Sequence, residues 1–377
     1  MKLIQAKLRG SGPVIRSSWF QLSAHINQFY FSESRTGTAF LRAIQTLHPP
    51  FSCKKKVPFA LLPHFEQIGS HTRHIQPEKR TVVFGVFAAT PDVVTELGKL
   101  DHNLYETDRI EIGRRMDNSR WLNFVELSSS TRWKEIDENM RVLMRPLKTA
   151  FPEKYQKSLA FMDSLKESDR VRGELADRLL LLLQSLGPEH QNNIEFQETT
   201  ALIERAAHFQ AAREIVYQKL PLMIYFNEYG EIAPPLTTKV DTTIVPSKTD
   251  HNEFWDYIKQ YRPESSLLQQ TVSTGNQSSL DRLRNGIHLA TTVSKEFAMP
   301  TPIFLFDAPE RHLNSDEQSA LKTLIIQTAK SHQCIYRADS KSFFNSDAYD
   351  RSYSDSELEQ SNIRDNDGDR RNQAEEV

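Results

Sequence analysis

Residues 303–315, IFLFDAPERHLNS, decide how the chain is read. Four apolar residues run into Asp307, with no polar residue between, so both faces of this segment want burial. Ala308–Pro309 then breaks the run, and Asp316–Ser331 reads as a helix. A buried strand, a turn and a new helix follow one another within about a dozen residues. Asp307 follows directly on the apolar run. A second helix–strand pair, 316–331 and 333–337, repeats the alternation and implies a parallel sheet.

Working outward, the amino-terminal part alternates well enough for an edge strand over residues 1–9 and for two more short strands within 14–31. The 36–47 stretch has helical spacing, with Phe40, Leu41, Ala43, Ile44 and Leu47 on one face, and Pro49–Pro50 stops it. Thr81–Ala88 is a strong buried strand, 91–100 a short helix, and 109–113 and 121–127 further strands. From about residue 130 to 219 the pattern becomes helical. Leu175–Leu186 is apolar on most faces and is expected to pack against partner helices. No heptad is sustained long enough for a coiled coil. Strand character returns at 222–226, and helices are expected over 253–260 and 280–297.

The 377 residues can bury a substantial core, and 38% hydrophobic with 25% charged residues is ordinary globular composition. No apolar run approaches the roughly 18 residues a membrane span needs, and the start, MKLIQAKLRG, has no signal-peptide core. Cys53 and Cys334 form neither a disulfide framework nor a zinc set, so a reducing cytoplasm is expected. The formal charge of −2 is uneven. Residues 346–377 carry ten acids and four arginines, which leaves the remainder mildly basic. With almost no apolar content, that tail is expected to be disordered. Charge alone does not argue for nucleic acid.

These segments resemble the ABC-type ATPase heads of the SMC, RecF and OLD-like group. The resemblance rests on LRGSGPVIRSSWFQLSAHINQFYF, on LPLMIYFNEYGEI (220–232), on VSTGN (272–276), on IFLFDAPERHLN and on CIYRADSKSFF (334–344). It covers roughly residues 1–130 and 220–345. It implies a P-loop NTPase-like α/β head with two lobes, 1–130 and 220–345, an inserted helical arm over 131–219 and an acidic tail over 346–377. It also implies that two heads sandwich ATP and Mg²⁺, each phosphate loop facing the other's signature motif. Such heads often act on DNA or in antiphage systems.

Position by position, the resemblance implies losses. A phosphate loop converges backbone N–H groups on phosphate at a helix N-terminus, with glycines for the path and a lysine for the charge. In FYFSESRTGTAFLRAI (29–44), Phe31, Ser34 and Thr36 stand at the glycine positions. Gly37 stands at the lysine, and Thr38 matches the hydroxyl that helps hold Mg²⁺. Arg35 is the nearby cation. Asp307 matches the magnesium-shell acid of the Walker B strand. Ala308 takes the place of the water-polarising glutamate, and Asp339 that of the switch histidine, where an anion would repel a γ-phosphate. Losing one such group costs about 10²–10³-fold in other enzymes. Ser273 and Gly275 match the residues that contact a γ-phosphate in trans.

Cofactor-binding candidates are therefore Ser34, Arg35, Thr36, Gly37, Thr38, Asp307, Ser273 and Gly275, with no catalytic or metal-ligating set. The expected function is a pseudo-ATPase head assembling with another ATPase head. ATP and Mg²⁺ would be bound with or by that partner rather than hydrolysed here, and DNA would be reached through the complex. The alternative is an active ATP hydrolase with a non-standard phosphate loop, rebuilt on Arg35 and another acid. His71 and His74 lack the companions a metal site needs. Lys54–Lys56 read as a solvated loop, and Asn227, Glu228 and Tyr229 end a strand facing the sheet's carboxyl-terminal edge, where α/β folds gather ligands, with a structural role favoured.

Overall fold

The computed structural model describes residues 1–11, 14–49, 80–100, 107–116, 119–125, 131–186, 190, 192–232, 278–296, 298–340, 343 and 350–354. The chain divides into two compact units. The first comprises 1–88, 111–122 and 219–377, and the second 89–110 and 123–218.

The first unit holds a parallel sheet of five strands: β4 (Ile26–Tyr30), β8 (Met223–Phe226), β9 (Ile303–Asp307), β10 (Gln333–Ala338) and β11 (Arg351–Ser354). Their order is β11-β4-β10-β9-β8, with every pair parallel. All residues of β8, β9 and β10 are buried, which is why their sequences read as continuous apolar runs. Helix α1 (Ser34–Gln45) follows β4, and α9 (Ser315–Ala329) joins β9 to β10 as a crossover. Asn314 starts α9 with a capping box. Its side chain accepts from the N–H groups of Asp316 and Glu317 at 3.1 and 3.0 Å, and Glu317 accepts from the Asn314 N–H at 3.1 Å. Helix α8 (Ser279–Glu296) buries Leu283, Ile287 and Ala290 in the same core as Phe304, Phe306, Ile325 and Tyr336.

A second sheet is built from β1 (Lys2–Ser11), β2 (Val14–Arg16), β3 (Phe20–Gln21), β5 (Thr81–Ala88), β6 (Arg109–Arg115) and β7 (Arg120–Phe124). Its order is β2-β1-β5-β6-β7, with β3 also on β1, and β1 pairs antiparallel with β2, β3 and β5. Gln333, at the start of β10, ties the two sheets. Its side chain accepts from the Leu3 N–H at 2.9 Å and donates to the Leu3 and Ser23 carbonyls at 2.7 and 2.6 Å.

The second unit is mainly helical. Its helices are α2 (Pro91–Gly98), α3 (Trp133–Met144), α4 (Leu147–Ala150), α5 (Pro152–Asp163), α6 (Glu174–Gln184) and α7 (Ile194–Gln218). Trp133, Ile136, Met140, Met162, Leu179, Leu183 and Ile203 form its core. The leucine run of α6 buries only part of itself, because Leu181 is 64% exposed. Among the described residues no helix is long and apolar enough to cross a membrane.

Three sequence expectations need correction. The strand over 1–9, expected at a sheet edge, is β1, which runs between β2 and β5 because both of its sides are paired. The helix expected over 36–47 begins two residues earlier, at Ser34. The tail expected to be unstructured over 346–377 supplies β11 at 351–354. Tyr353 explains it: the ring lies 5.2 Å from Phe29 and 6.1 Å from Phe20, and its hydroxyl donates to the Gln21 carbonyl at 2.5 Å. The helix expected at 253–260, Lys54–Lys56, His71 and His74 lie outside the described residues.

Candidate functional site

The ends of β4, β8, β9 and β10 share the carboxyl-terminal edge of the parallel sheet, and the site forms there. Asp307 is its centre. It closes β9, and the parallel register sets it directly beside Arg337 of β10. The Arg337 Nε donates to Asp307 Oδ1 in an ion pair whose side chains are 2% and 5% exposed. The other carboxylate oxygen accepts from the Thr38 hydroxyl at 2.7 Å and from the Tyr225 hydroxyl. Burial and the neighbouring carboxylate push the Tyr225 phenol up, so it remains a donor. The guanidinium of Arg42 lies 3.8 Å above the Tyr225 ring.

Gly37 shows how the side chains interlock. A Cβ there would overlap the Arg337 Cδ and come within 2.9 Å of Phe31. The space above the position read as the phosphate-loop lysine is thus filled by an arginine reaching across from β10. Arg35, the cation singled out from sequence, lies exposed.

Local backbone accounts for the rest. Three residues, 31–33, separate β4 from α1. The first helical turn therefore covers Ser34, Thr36 and Gly37, where a phosphate loop would still be looping. The N–H groups of Thr36 and Gly37 donate to the Glu33 carbonyl at 3.1 and 3.3 Å instead of converging on an open space. Glu33 occupies the N-cap, an acid at the helix end that would face an anion. Phe31, at the first glycine position, is buried against Phe40 at 5.1 Å and stacked with Phe29 at 6.4 Å. It anchors the turn by packing.

Polar residues close the mouth above Asp307. Arg311 ion-pairs with Asp339 at 2.7 Å and with Glu228 at 2.8 Å, and donates to the Ser34 hydroxyl at 2.8 Å. One guanidinium so joins the loops after β8, β9 and β10 to the start of α1. The Arg311 hydrogen bonds hold the Asp339 carboxyl below its ordinary range, and Arg337 adds a contact at 3.4 Å. The anion expected to repel a γ-phosphate is therefore neutralised from two sides.

Among the described residues of this turn, neither Ala308 nor Glu310 presents a free carboxylate. Ala308 is fully buried at a positive φ of 45°, its N–H donating to the Arg337 carbonyl at 2.9 Å. Glu310 is the nearest other acid on this turn. Its oxygens accept from the Asp339 N–H at 2.6 Å and from the Tyr336 hydroxyl. Burial raises its carboxyl, against the opposing pull of those donors. Among the described residues no group of three or more His, Cys, Asp or Glu could hold a metal ion. In this arrangement the Asp307 oxygens are engaged by Arg337, Thr38 and Tyr225, and the residues present do not fit an added Mg²⁺.

Of the sequence candidates, the fold thus brings together Ser34, Gly37, Thr38 and Asp307. Thr36 and Arg35 are on the same turn without reaching Asp307. Ser273 and Gly275 lie outside the described residues. Asn227 is structural, its side chain accepting from the N–H groups of Tyr229 and Glu231 at 3.0 and 2.9 Å. Sequence reasoning missed Arg337, Tyr225, Arg311 and Glu310. One signal was available: CIYRA carries a lone charge inside an apolar strand, as IFLFD does, and such charges seek each other.

No protein-family model matches the chain. No curated protein matches it either. Among solved structures it is similar to the SMC head domain from Thermotoga maritima, at 12% identity and a TM-score of 0.35, over 94% of each chain. An Smc head with an extended coiled coil, bound to the C-terminal domain of ScpA and derived from Pyrococcus furiosus, gives 11% and 0.33, covering 94% of this chain and 93% of that one. RecF in its ATP form gives 13% and 0.35, over 94% and 95%. Superpositions this loose carry no argument about chemistry.

Proposed function

We propose that the chain is an ABC-type ATPase head whose own nucleotide site is closed from within, and that it works as a non-catalytic subunit beside another head. The observation that carries this reading is the buried Arg337–Asp307 ion pair, seated over Gly37 and completed by Thr38 and Tyr225. In an active head the carboxylate would be kept available for a metal shell and the loop for phosphate. Here a cation fixed in the fold neutralises Asp307, and a helical turn replaces the loop. ATP with Mg²⁺ would then belong to the partner head, with Ser273 and Gly275 completing that site in trans. DNA would be reached through the assembly.

Isothermal titration of the purified full chain with Mg·ATP, alongside a phosphate-release assay, tests the reading. The expected result is no saturable binding and no release above a blank. Binding that requires Mg²⁺, with turnover abolished by Asp307→Ala, overturns it. In the assembled complex, Ser273→Ala with Gly275→Ala is expected to lower the partner's hydrolysis. Unchanged partner turnover removes the second-site role and leaves a plain scaffold.

A further inference from the structure

The helical unit carries a groove of its own. Its cavity, about 310 Å³, is lined by Lys154, Lys157, Ser158 and Phe161 of α5 and by Arg178, Leu181 and Leu182 of α6. On α5 the residues follow i, i+3, i+4 and i+7 spacing, and on α6 i, i+3 and i+4, so each helix offers one stripe to the gap. The floor is apolar: Phe161 and Leu182 are half-buried, and Leu181 is exposed. The rim is cationic. Arg178 lies over the Phe161 ring at 4.0 Å, and Lys154 and Lys157 are exposed beside it. None of these three cations has an ion-pair partner among the described residues. The carboxylate at the end of α5, Asp163, is committed to Arg141 at 2.8 Å.

We infer that this groove receives an acidic amphipathic helix from a protein partner. An exposed leucine beside an aromatic floor is costly to leave in water and is covered well by an apolar helical stripe. The cations stand at the floor's edge, where a helix docked by its apolar face would present carboxylates from its flanks. Charge complementarity thus specifies the occupant's polar side and the floor its apolar side. A nucleic-acid backbone fits less well, because its phosphates would lie over leucines and leave the apolar floor unmatched. The stripe from Lys154 to Phe161 spans about 10 Å, so the occupant need contribute only two to three turns.

The test uses the full chain and a fluorescein-labelled peptide of leucine and glutamate arranged with one apolar face, about four turns long. The comparisons are a scrambled peptide of the same composition and a labelled single-stranded oligonucleotide. Saturable binding of the amphipathic peptide is expected. Leu181→Glu, and separately Lys154→Glu with Lys157→Glu, should each weaken it tenfold or more. These positions are exposed, so far-UV circular dichroism and the urea midpoint should not change. The inference is overturned by no saturable binding, by equal binding of the scrambled peptide or the oligonucleotide, or by binding indifferent to both variants. Sedimentation showing a dimer that Leu181→Glu dissolves would overturn it too, by making a second copy the occupant.

Discussion

Replacing Asp307 with alanine should destabilise the protein in the complete absence of metal and nucleotide. A carboxylate reserved for a metal shell behaves the other way: its removal relieves unmatched charge and leaves the empty protein as stable or more so. Here Asp307→Ala strands Arg337, whose side chain is 2% exposed. Breaking a buried pair from one side costs about 3–5 kcal/mol. Asp339 moderates the loss, since it lies 3.4 Å from Arg337, but it is 40% exposed and already shared with Arg311. The lower end, about 3 kcal/mol, is therefore expected. The Thr38 and Tyr225 hydroxyls lose their acceptor as well, at about 1 kcal/mol each. The double variant Asp307→Leu with Arg337→Met removes both charges, and replacements of that kind are commonly neutral or better. It should recover at least half of the single-variant loss, a coupling of about 2 kcal/mol. Urea unfolding in EDTA gives the global numbers, and hydrogen exchange of the β9 and β10 amides reports on this unit specifically. Asp307→Ala at or above wild-type stability, or a coupling under about 0.5 kcal/mol, refutes the internal counter-ion.

Three further outcomes follow from the same contacts. Gly37→Ala, a change that usually favours a helix by about 1 kcal/mol, should instead cost about 1–3 kcal/mol in thermal unfolding, because Arg337 and Phe31 fill the added methyl's place. Arg311→Ala should cost about 1 kcal/mol, since its partners are roughly a third exposed, and the loss should shrink in molar salt. His48 donates from Nδ1 to the Leu220 carbonyl at 3.0 Å, and desolvation, with Arg120 and Arg114 nearby, pushes it down to about 3. Its folded value lies below its unfolded one near 6.5, so the unfolded chain binds the extra proton between those limits. Stability should therefore fall by about 1.4 kcal/mol per pH unit below 6.5, a slope that His48→Gln should flatten in urea titrations.

How far the sequence could be read depends on the range of the interactions involved. β9 was legible because four consecutive apolar residues before Asp307 need burial on both faces, and α9 because helical spacing is a local signal. The parallel alternation followed from spacing alone. Arg337 was not legible as a partner of Asp307, because thirty residues and one helix separate them and only strand register makes them neighbours. Tyr353 was hidden for a similar reason. A single aromatic in an acidic stretch carries no periodic signal, and its value arises only against Phe29, nearly the whole chain away. Leu181 misled in the opposite sense, its local apolarity giving no sign that one leucine of the run would stay outside.

On the function proposed above, the residues at this sheet edge make more sense as one packing solution than as independent losses. An open cradle is unstable by construction: it leaves N–H groups, a carboxylate and a cation without partners until a ligand arrives. Here each of those demands is met by the chain. The early start of α1 satisfies the N–H groups of Thr36 and Gly37 through Glu33, Arg337 satisfies Asp307, and Phe31 fills the turn that glycine would leave open. Gly37 must remain small because Arg337 crosses it, so a lysine restored at that position would meet the arginine already in place. Restoring Ala308→Glu alone would add a carboxylate at a fully buried position of positive φ, beside a Glu310 whose oxygens are both engaged. Reopening the cradle therefore requires removing Arg337 first. Arg337→Ala with Gly37→Lys should bind Mg·ATP more tightly than the two single changes added together predict, and titration showing simple additivity would mean the two positions do not compete for one space.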